Sequence, residues 1–117
     1  MRRNWLLAAT MATTFLVATL SLANAARADG ASDYVLSIKD HVFTPNSLEI
    51  PANQKIRLIV KNLDATAEEF ESYDLNREKI VAGNSEITVL IGPLDPGTYQ
   101  FFGDFHPDSA HGTIIAK

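Results

Sequence analysis

Short runs in which apolar and polar residues alternate place the strongest restriction on the fold of this chain. Residues 34–39, 55–61 and 86–91 each show this pattern, and turn-forming residues such as the Asp-Pro-Gly at 95–97 separate the runs. A period of two puts alternate side chains on opposite faces of a β-strand. The helical period is rare, and residues 74–81 are the segment that could carry a helical turn. The sequence therefore predicts an all-β domain, a Greek-key β-sandwich of seven to eight strands.

Residues 1–28 have the layout of a signal peptide. Two arginines at positions 2 and 3 precede a largely apolar stretch, residues 5–22, and small residues lead to a cut before Asp29. A cut after Ala25 and an uncleaved anchor helix are the alternatives, and the arginine pair leaves Sec and twin-arginine export both open. We expect a periplasmic protein in which residues 29–117 form one domain, without stable membrane insertion after cleavage.

The predicted mature domain is acidic. The chain has ten Lys and Arg and fourteen Asp and Glu. Three of the basic residues and none of the acids lie in residues 1–28, which leaves seven against fourteen, a formal charge of −7. This charge argues against a nucleic-acid partner and suits a cationic ligand or partner, although solubility alone also explains acidic surfaces. The chain has no cysteine, so it has no disulfide and no thiolate ligand.

A polar loop between two predicted strands near the C-terminus contains candidate metal ligands. Asp104, His106 and His111 all lie in this loop. Imidazoles and carboxylates that converge in one loop are what a metal site requires. The structural alternatives are that His106 orders the loop together with Pro107 and that Asp104 bonds to the loop backbone.

A second polar group lies in the middle of the chain. If residues 67–73 form a strand, Glu69 and Glu71 share one face while Phe70 points into the core. Two like charges side by side cost free energy unless a cation, a base or water relieves them. A bound metal ion would relieve them, and a solvated, charged sheet edge is the alternative.

Residues 95–99 have the layout of a tyrosine corner. In this motif a Tyr at the start of a strand, here Tyr99, donates a hydrogen bond to the backbone a few residues upstream. We expect this role to be structural and not functional.

Several phrases of the sequence carry a resemblance to a known family. They are Asp-His-Val-Phe-Thr-Pro at 40–45, Glu-Glu-Phe-Glu-Ser at 68–72, and Phe-Gly-Asp-Phe-His-Pro-Asp at 102–108. With these phrases the domain resembles the cupredoxins, and more closely the cupredoxin-like proteins of the EfeO-type, FtrB-like iron-transport subfamily. The resemblance implies a cupredoxin-like sandwich that binds copper and/or iron ions. It also implies a role in ferrous iron uptake with an inner-membrane iron permease and other periplasmic iron-uptake components.

The resemblance also implies a ligand set. Blue-copper sites use two His and a Cys with a weak axial Met. By position, Gly103 replaces the Cys, Glu69 the first His, and His106 the second His, while His111 falls at or beside the Met. Carboxylates and imidazoles in place of thiolate and thioether suit Cu(II), iron, Mn(II) or Zn(II) better than Cu(I).

His41 lies in the turn after the first strand, which in cupredoxins is at the metal end, and a plain surface histidine is the alternative. Glu71 and Asp104 would form a second carboxylate site or orient the histidines. The predicted metal ligands are therefore Glu69, His106, His111, His41, Asp104 and Glu71.

Catalysis has little support in the sequence. There is no cysteine nucleophile, and Ser109 lies near histidines without a nucleophile elbow. Hydrolase chemistry is not expected, and oxidation of ferrous iron is the most that the resemblance implies. A copper-handling carrier and a metal-free protein–protein interaction module are the alternative functions. The sequence is compatible with a monomer or a homodimer.

Overall fold

The computed structural model describes residues 30–117, so the predicted signal peptide lies outside the described part of the chain. These residues form nine strands and no helix. The strands are β1 (Ser32–Lys39), β2 (Val42–Thr44), β3 (Ser47–Ile50), β4 (Ile56–Asn62), β5 (Glu68–Ser72), β6 (Arg77–Val81), β7 (Ser85–Ile91), β8 (Gly97–Gly103) and β9 (His111–Ala116). Accordingly, no helix in this part of the chain has the length and apolar character needed to cross a membrane.

The strands form two sheets that pack into a sandwich. One sheet has the order β2-β1-β4-β7, and the other has the order β3-β9-β8-β5-β6. The parallel pairs β1–β4 and β3–β9 are crossovers between strands that are not neighbours in sequence, while the other pairs are antiparallel. The predicted all-β sandwich is confirmed, with nine strands where seven to eight were expected. Residues 74–81 form a turn and β6, so the helical turn considered for them is wrong.

Three phenylalanines form the aromatic centre of the core. Phe43, Phe70 and Phe101 come from β2, β5 and β8, and each is at most 1% exposed. The ring of Phe43 meets the other two edge-on, with centroids 6.4 Å from Phe70 and 5.0 Å from Phe101. Edge-to-face contacts of this kind add to the free energy gained by burial. The two sheets are therefore fixed against each other beneath the ends of β5 and β8.

Strand direction brings four chain segments to one end of the sandwich. β1 and β4 are parallel, so the turns that follow them leave the sheet at the same end. β8 runs antiparallel to β5, with Gly103 opposite Phe70, so β8 ends where β5 begins. The turn at 40–41, the loop at 63–67, the start of β5 and the loop at 104–110 thus meet above the phenylalanine core.

Candidate metal centre

Three potential ligands converge at this end of the sandwich. His41, Glu68 and His106 each offer one donor atom, and these atoms all lie within 4.8 Å of one another. His41 comes from the turn after β1, Glu68 is the first residue of β5, and His106 lies in the loop after β8. The carboxylate is buried, whereas the two imidazoles are 40% and 33% exposed. The Glu68 carboxylate therefore lies at the buried side of the group, and the two imidazoles lie at the side that is open to solvent.

The Glu68 carboxylate is held in a fixed position. Its Oε1 accepts hydrogen bonds from the backbone N–H groups of Glu69 and Phe105, both at 2.9 Å. Its Oε2 lies 2.7 Å from Nδ1 of His106. Because Oε1 is occupied by backbone donors, Oε2 is the oxygen that a metal ion would bind, in place of its hydrogen bond with His106.

Asp64 holds His41 in place. Asp40 and His41 both have left-handed backbone conformations, with φ of 52° and 58°, which non-glycine residues adopt infrequently. The carboxylate of Asp64 accepts the N–H groups of Asp40 at 2.7 Å and of His41 at 3.0 Å. Its Oδ2 also lies 3.5 Å from Nδ1 of His41. The hydrogen bond from the His41 N–H is the main cause that lowers the pKa of Asp64.

Asn62 in turn positions Asp64. This buried side chain at the end of β4 accepts the N–H of Asp64 at 3.0 Å and donates to the carbonyl of Thr66 at 2.8 Å. The loop between β4 and β5 is thereby folded back on itself. Side-chain hydrogen bonds of this type replace ladder bonds where a strand ends. The position of His41 thus depends on a chain of hydrogen bonds that begins in β4.

The two imidazoles stack on each other. The ring centroids of His41 and His106 are 3.5 Å apart and the rings are 14° from parallel. His106 is fixed by its loop, because its carbonyl accepts the N–H of Ala110 at 2.9 Å and its own N–H donates to the carbonyl of Gly103 at 3.1 Å. Stacked imidazoles beside a carboxylate can present nitrogen and oxygen donors to one ion.

The donor set does not fit a blue-copper centre. That centre needs a thiolate, and the chain has no cysteine. Gly103, which stands at the predicted cysteine position, has no side chain, and the Glu68 carboxylate lies against it. Two imidazoles and a carboxylate do fit a divalent transition metal of intermediate or hard character.

Three other predicted ligands form a second cluster. Glu69, Glu71 and Asp104 offer carboxylate oxygens that lie within 4.8 Å of one another. Glu69 and Glu71 lie on the face of β5 opposite to Phe70, and the N–H of Asp104 donates to the carbonyl of Glu69 at 2.9 Å. This cluster is therefore on the outside of the sandwich, beside the His41–His106 group and not within it.

Mutual repulsion affects the second cluster. Glu78 lies opposite Glu71 across the β5–β6 pair. A hydrogen bond with Glu78, together with burial and the charges of Glu78, Asp104 and Glu71, raises the pKa of Glu69 to about 7. The pKa of Glu71 is raised as well, chiefly by burial and then by Asp104 and Glu78. Full ionisation of the cluster is therefore unfavourable in the folded protein.

The structure separates the predicted ligands. His41 and His106 meet, Glu69, Glu71 and Asp104 meet elsewhere, and His111 belongs to neither group of described residues. His111 is exposed at the start of β9, opposite Phe102, and lines a shallow depression with Asn46 and Gln100. On β5 the separation follows from strand geometry, since Glu69 and Glu71 point to the face opposite to Glu68 and Phe70.

Glu68 is the residue that the sequence reasoning missed. The resemblance assigned the first ligand position to Glu69, but in the structure Glu68 faces the histidines and Glu69 faces outward. The signal was present in the sequence. Glu68 is two residues before Phe70, which was expected to fill the core, so the period of two places both side chains on the inner face.

Comparison with known proteins gives the family. A family model described as the cupredoxin-like domain matches residues 12–116. The uncharacterized protein RP394 of Rickettsia prowazekii (strain Madrid E) is 52% identical over 89 residues, which is 76% of this chain and 71% of that protein.

Solved structures give the fold independently. One is auracyanin A, described as a "blue" copper protein from Chloroflexus aurantiacus, with a TM-score of 0.63 at 13% identity over 73% of this chain and 98% of that chain. Another is amicyanin from Paracoccus versutus, with a TM-score of 0.57 at 14% identity over 73% and 81% of the two chains. At such low identity these similarities concern the fold alone. Together with the family match, they lead to one conclusion: the chain belongs to the cupredoxin-like domain family.

Proposed function

We propose that this protein is a periplasmic metal-binding protein of ferrous iron uptake that holds copper through His41, Glu68 and His106. The observation that supports metal binding is the convergence of these three donors, with the carboxylate already held by backbone N–H groups. A ligand whose position is fixed before binding loses little conformational freedom when the ion arrives. The description of auracyanin A as a copper protein supports copper as the ion.

The ligand chemistry sets which oxidation state is favoured. Imidazole suits copper, zinc and iron, and carboxylate suits harder ions, while the soft ligands that select Cu(I) are sulfur ligands. With two imidazoles and one carboxylate oxygen, the site should prefer Cu(II) to Cu(I). Copper held there would supply a one-electron redox couple. It would not give the intense colour of a thiolate site.

Iron enters the proposal through the carboxylate cluster. Glu69, Glu71 and Asp104 present oxygen ligands on the outer face, next to the loop that carries His106. The hydrogen bond with Glu78, burial and the neighbouring carboxylates raise the pKa of Glu69, and a cation at this cluster would offset the repulsion among these carboxylates. We propose that the protein belongs to the EfeO-type, FtrB-like subfamily, that ferrous iron is the cargo here, and that the protein passes iron to an inner-membrane iron permease.

The first experiment measures metal binding by the purified, metal-free protein. Titration with Cu(II) followed by calorimetry and electron paramagnetic resonance should show one tight site with nitrogen hyperfine structure and no thiolate charge-transfer band. The variant His106→Ala should lose this site, whereas His111→Ala, the matched control, should bind like the parent. Equal binding by both variants would contradict the assignment.

Two adjacent glutamates provide a second, sharper comparison. Removing an outer partner of a metal ligand already costs about 10–100-fold in affinity, so Glu68→Gln should weaken Cu(II) binding by about 100-fold or more. Glu69→Gln makes the same chemical change at the neighbouring residue. It should leave Cu(II) affinity within about twofold of the parent, because the Glu69 side chain faces away from the histidines. A reversed order would assign the copper ligand to Glu69.

The role of copper in iron chemistry is tested by ferrous iron oxidation. Stopped-flow measurements in air should show faster loss of Fe(II) with the copper-loaded protein than with the metal-free protein, and Glu71→Gln should reduce this difference. Copper binding without faster oxidation would favour the copper-handling carrier. Absence of metal binding by the parent protein would favour an interaction module that docks partners through its acidic face.

A further inference from the structure

We propose that Gly103 determines the ligand class of the metal centre. The absence of a side chain at this position lets the Glu68 carboxylate fill the space next to the histidines. The pocket can thus take a carboxylate from β5 or a side chain from β8, but not both. This inference deepens the proposed function, and rests on it for the identity of the ion as a transition metal.

The geometry at Gly103 is the basis of the inference. A Cβ atom built on Gly103 would lie 2.6 Å from Cδ and 2.8 Å from Oε1 of Glu68. Such distances are well inside van der Waals contact. The other close atom is Cβ of Ala110, at 2.8 Å. A side chain at position 103 would therefore point at the carboxylate that faces His106.

Glu68 cannot move aside at low cost. Its side chain is only 2% exposed, and its Oε1 is bound by the N–H groups of Glu69 and Phe105. Moving the carboxylate would leave these two donors without their acceptor, which is costly above all for the Glu69 N–H, because its hydrogen bond is buried. A side chain at position 103 and the Glu68 carboxylate in its present position therefore exclude each other. We call this the exclusion.

The exclusion has a chemical consequence. The carboxylate that touches Gly103 also places Oε2 at 2.7 Å from Nδ1 of His106. A cysteine at 103, with Glu68 shortened, would put its sulfur into the vacated space, within reach of an ion that His106 binds. The same pair of positions would then give a thiolate centre in place of a carboxylate centre, which changes the preference from harder to softer ions.

The exclusion is tested first in the metal-free protein, where it does not depend on the proposed function. Gly103→Ala should lower Tm by about 8 °C or more in the parent. It should do the same in Glu68→Gln, whose side chain has the same length. In Glu68→Ala the same substitution should lower Tm by at least about 5 °C less than in the parent. The contact with Ala110 is common to all three backgrounds and cancels in the comparison.

This double-mutant cycle of Gly103→Ala with the Glu68 variants either supports or overturns the exclusion. Equal losses of Tm in the parent and in Glu68→Ala would overturn the exclusion. If Glu68→Ala does not fold, Glu68→Ser takes its place, because its hydroxyl oxygen can still accept one of the two N–H groups. A parent protein that binds no metal would remove the proposed function while leaving this result intact.

The change of ligand class is tested with Co(II), which cannot oxidise the thiol, and then with Cu(II). The double variant Gly103→Cys, Glu68→Ala should bind one Co(II) with an intense thiolate-to-metal charge-transfer band. Gly103→Cys alone should show less than about a tenth of this intensity, because Glu68 blocks the space. Repeating both in an Ala110→Gly background removes the second close contact. Metal binding by the double variant without the thiolate band would overturn the proposal, as would an equal band in the single variant.

Discussion

At the scale of single residues, the candidate copper site depends on side chains that do not themselves face the ion. Asp64 accepts the N–H groups of two consecutive residues in left-handed conformation, Asp40 and His41. Such conformations cost free energy in non-glycine residues and persist where other contacts fix them. Without its acceptor, the turn would relax and the His41 ring would leave its stack with His106. Asp64 is therefore a positioning residue of the site.

Asp64→Ala should lower both stability and metal affinity. Loss of two hydrogen bonds to a carboxylate should reduce the free energy of unfolding by about 1–3 kcal/mol, measured by urea denaturation of the metal-free protein. Loss of the His41 position should weaken Cu(II) binding by about 10–100-fold, measured by competition with a chelator. Asp64→Asn keeps one acceptor oxygen and should be intermediate in both. Reduced stability with unchanged Cu(II) affinity would make Asp64 purely structural.

The sequence allowed the two histidines to be found but not their carboxylate partner. His41 and His106 stood out because imidazoles are few and lie beside turn residues. Glu68, Glu69 and Glu71 are chemically alike, so the choice among them required the direction of each side chain. That direction follows from the register of β5, which was available only through Phe70. His111 was included because sequence distance in the loop does not reveal that β9 begins at this residue.

At the scale of elements, the residues at the ends of the strands contribute more to the site than the residues within the strands. β8 carries the tyrosine corner at its start and Gly103 at its end, so one strand connects a structural motif with the site. The predicted corner is confirmed, since the hydroxyl of Tyr99 donates to the carbonyl of Asp95 at 2.8 Å. This bond fixes where β8 enters the sheet. It lies at the opposite end of the sandwich from the histidines.

Tyr99→Phe should separate stability from metal binding. Removal of one hydrogen bond should lower the free energy of unfolding by about 1 kcal/mol, while Cu(II) affinity should stay within about twofold of the parent. The control is Tyr73→Phe, since Tyr73 is 76% exposed and its hydroxyl makes no hydrogen bond within residues 30–117. Chemical denaturation and copper titration on the same samples check both parts. A loss of copper affinity in Tyr99→Phe would mean that the corner also sets the position of the distant loop.

Two strands escaped the sequence analysis for different physical reasons. β2 has only three residues, too few for alternation to be recognised. β6 is an edge strand whose first four residues are exposed, so it lacks an apolar face in its pattern. Its basic side chains instead reach across to the other sheet, where Arg77 donates to the carbonyl of Leu90 at 2.9 Å and Lys79 to that of Thr88 at 3.2 Å. Only tertiary structure reveals that role.

At the scale of the whole molecule, four of the fourteen acidic residues meet on one face, called here the acidic face. Glu69, Glu71, Glu78 and Asp104 lie together on the outside of β5, β6 and the loop after β8. Their mutual repulsion opposes folding as long as no cation is bound. The net charge of the chain does not reveal where on the surface this repulsion is located. The pairing of β5 with β6 and β8 concentrates it beside the histidine group.

The acidic face should give the metal-free protein an unusual dependence of stability on pH. Glu69 has a pKa of about 7 in the folded protein, against 4.5 as its ordinary value, so the folded state binds more protons between these values. Stability from this group is therefore present below about pH 4.5 and decreases as the pH rises to about 7. Glu69→Gln should flatten this decrease and make the protein more stable than the parent at pH 7.5. Urea denaturation across the range, with chelator present, measures the difference between the parent and Glu69→Gln, which includes the response of Glu71 and Glu78 because both groups interact with Glu69.

The control for this measurement is a glutamate outside the acidic face. Glu49 lies on β3 and pairs with Lys117 at 2.8 Å, with both side chains largely exposed, so Glu49→Gln should leave the pH profile of the parent unchanged. Glu78→Gln should act in the same direction as Glu69→Gln, because it removes the main partner that raises the pKa of Glu69. Parallel profiles for the parent and Glu69→Gln would show that the pKa of Glu69 is not raised in the folded protein. A cation at the acidic face would then have no unfavourable ionisation of Glu69 to relieve.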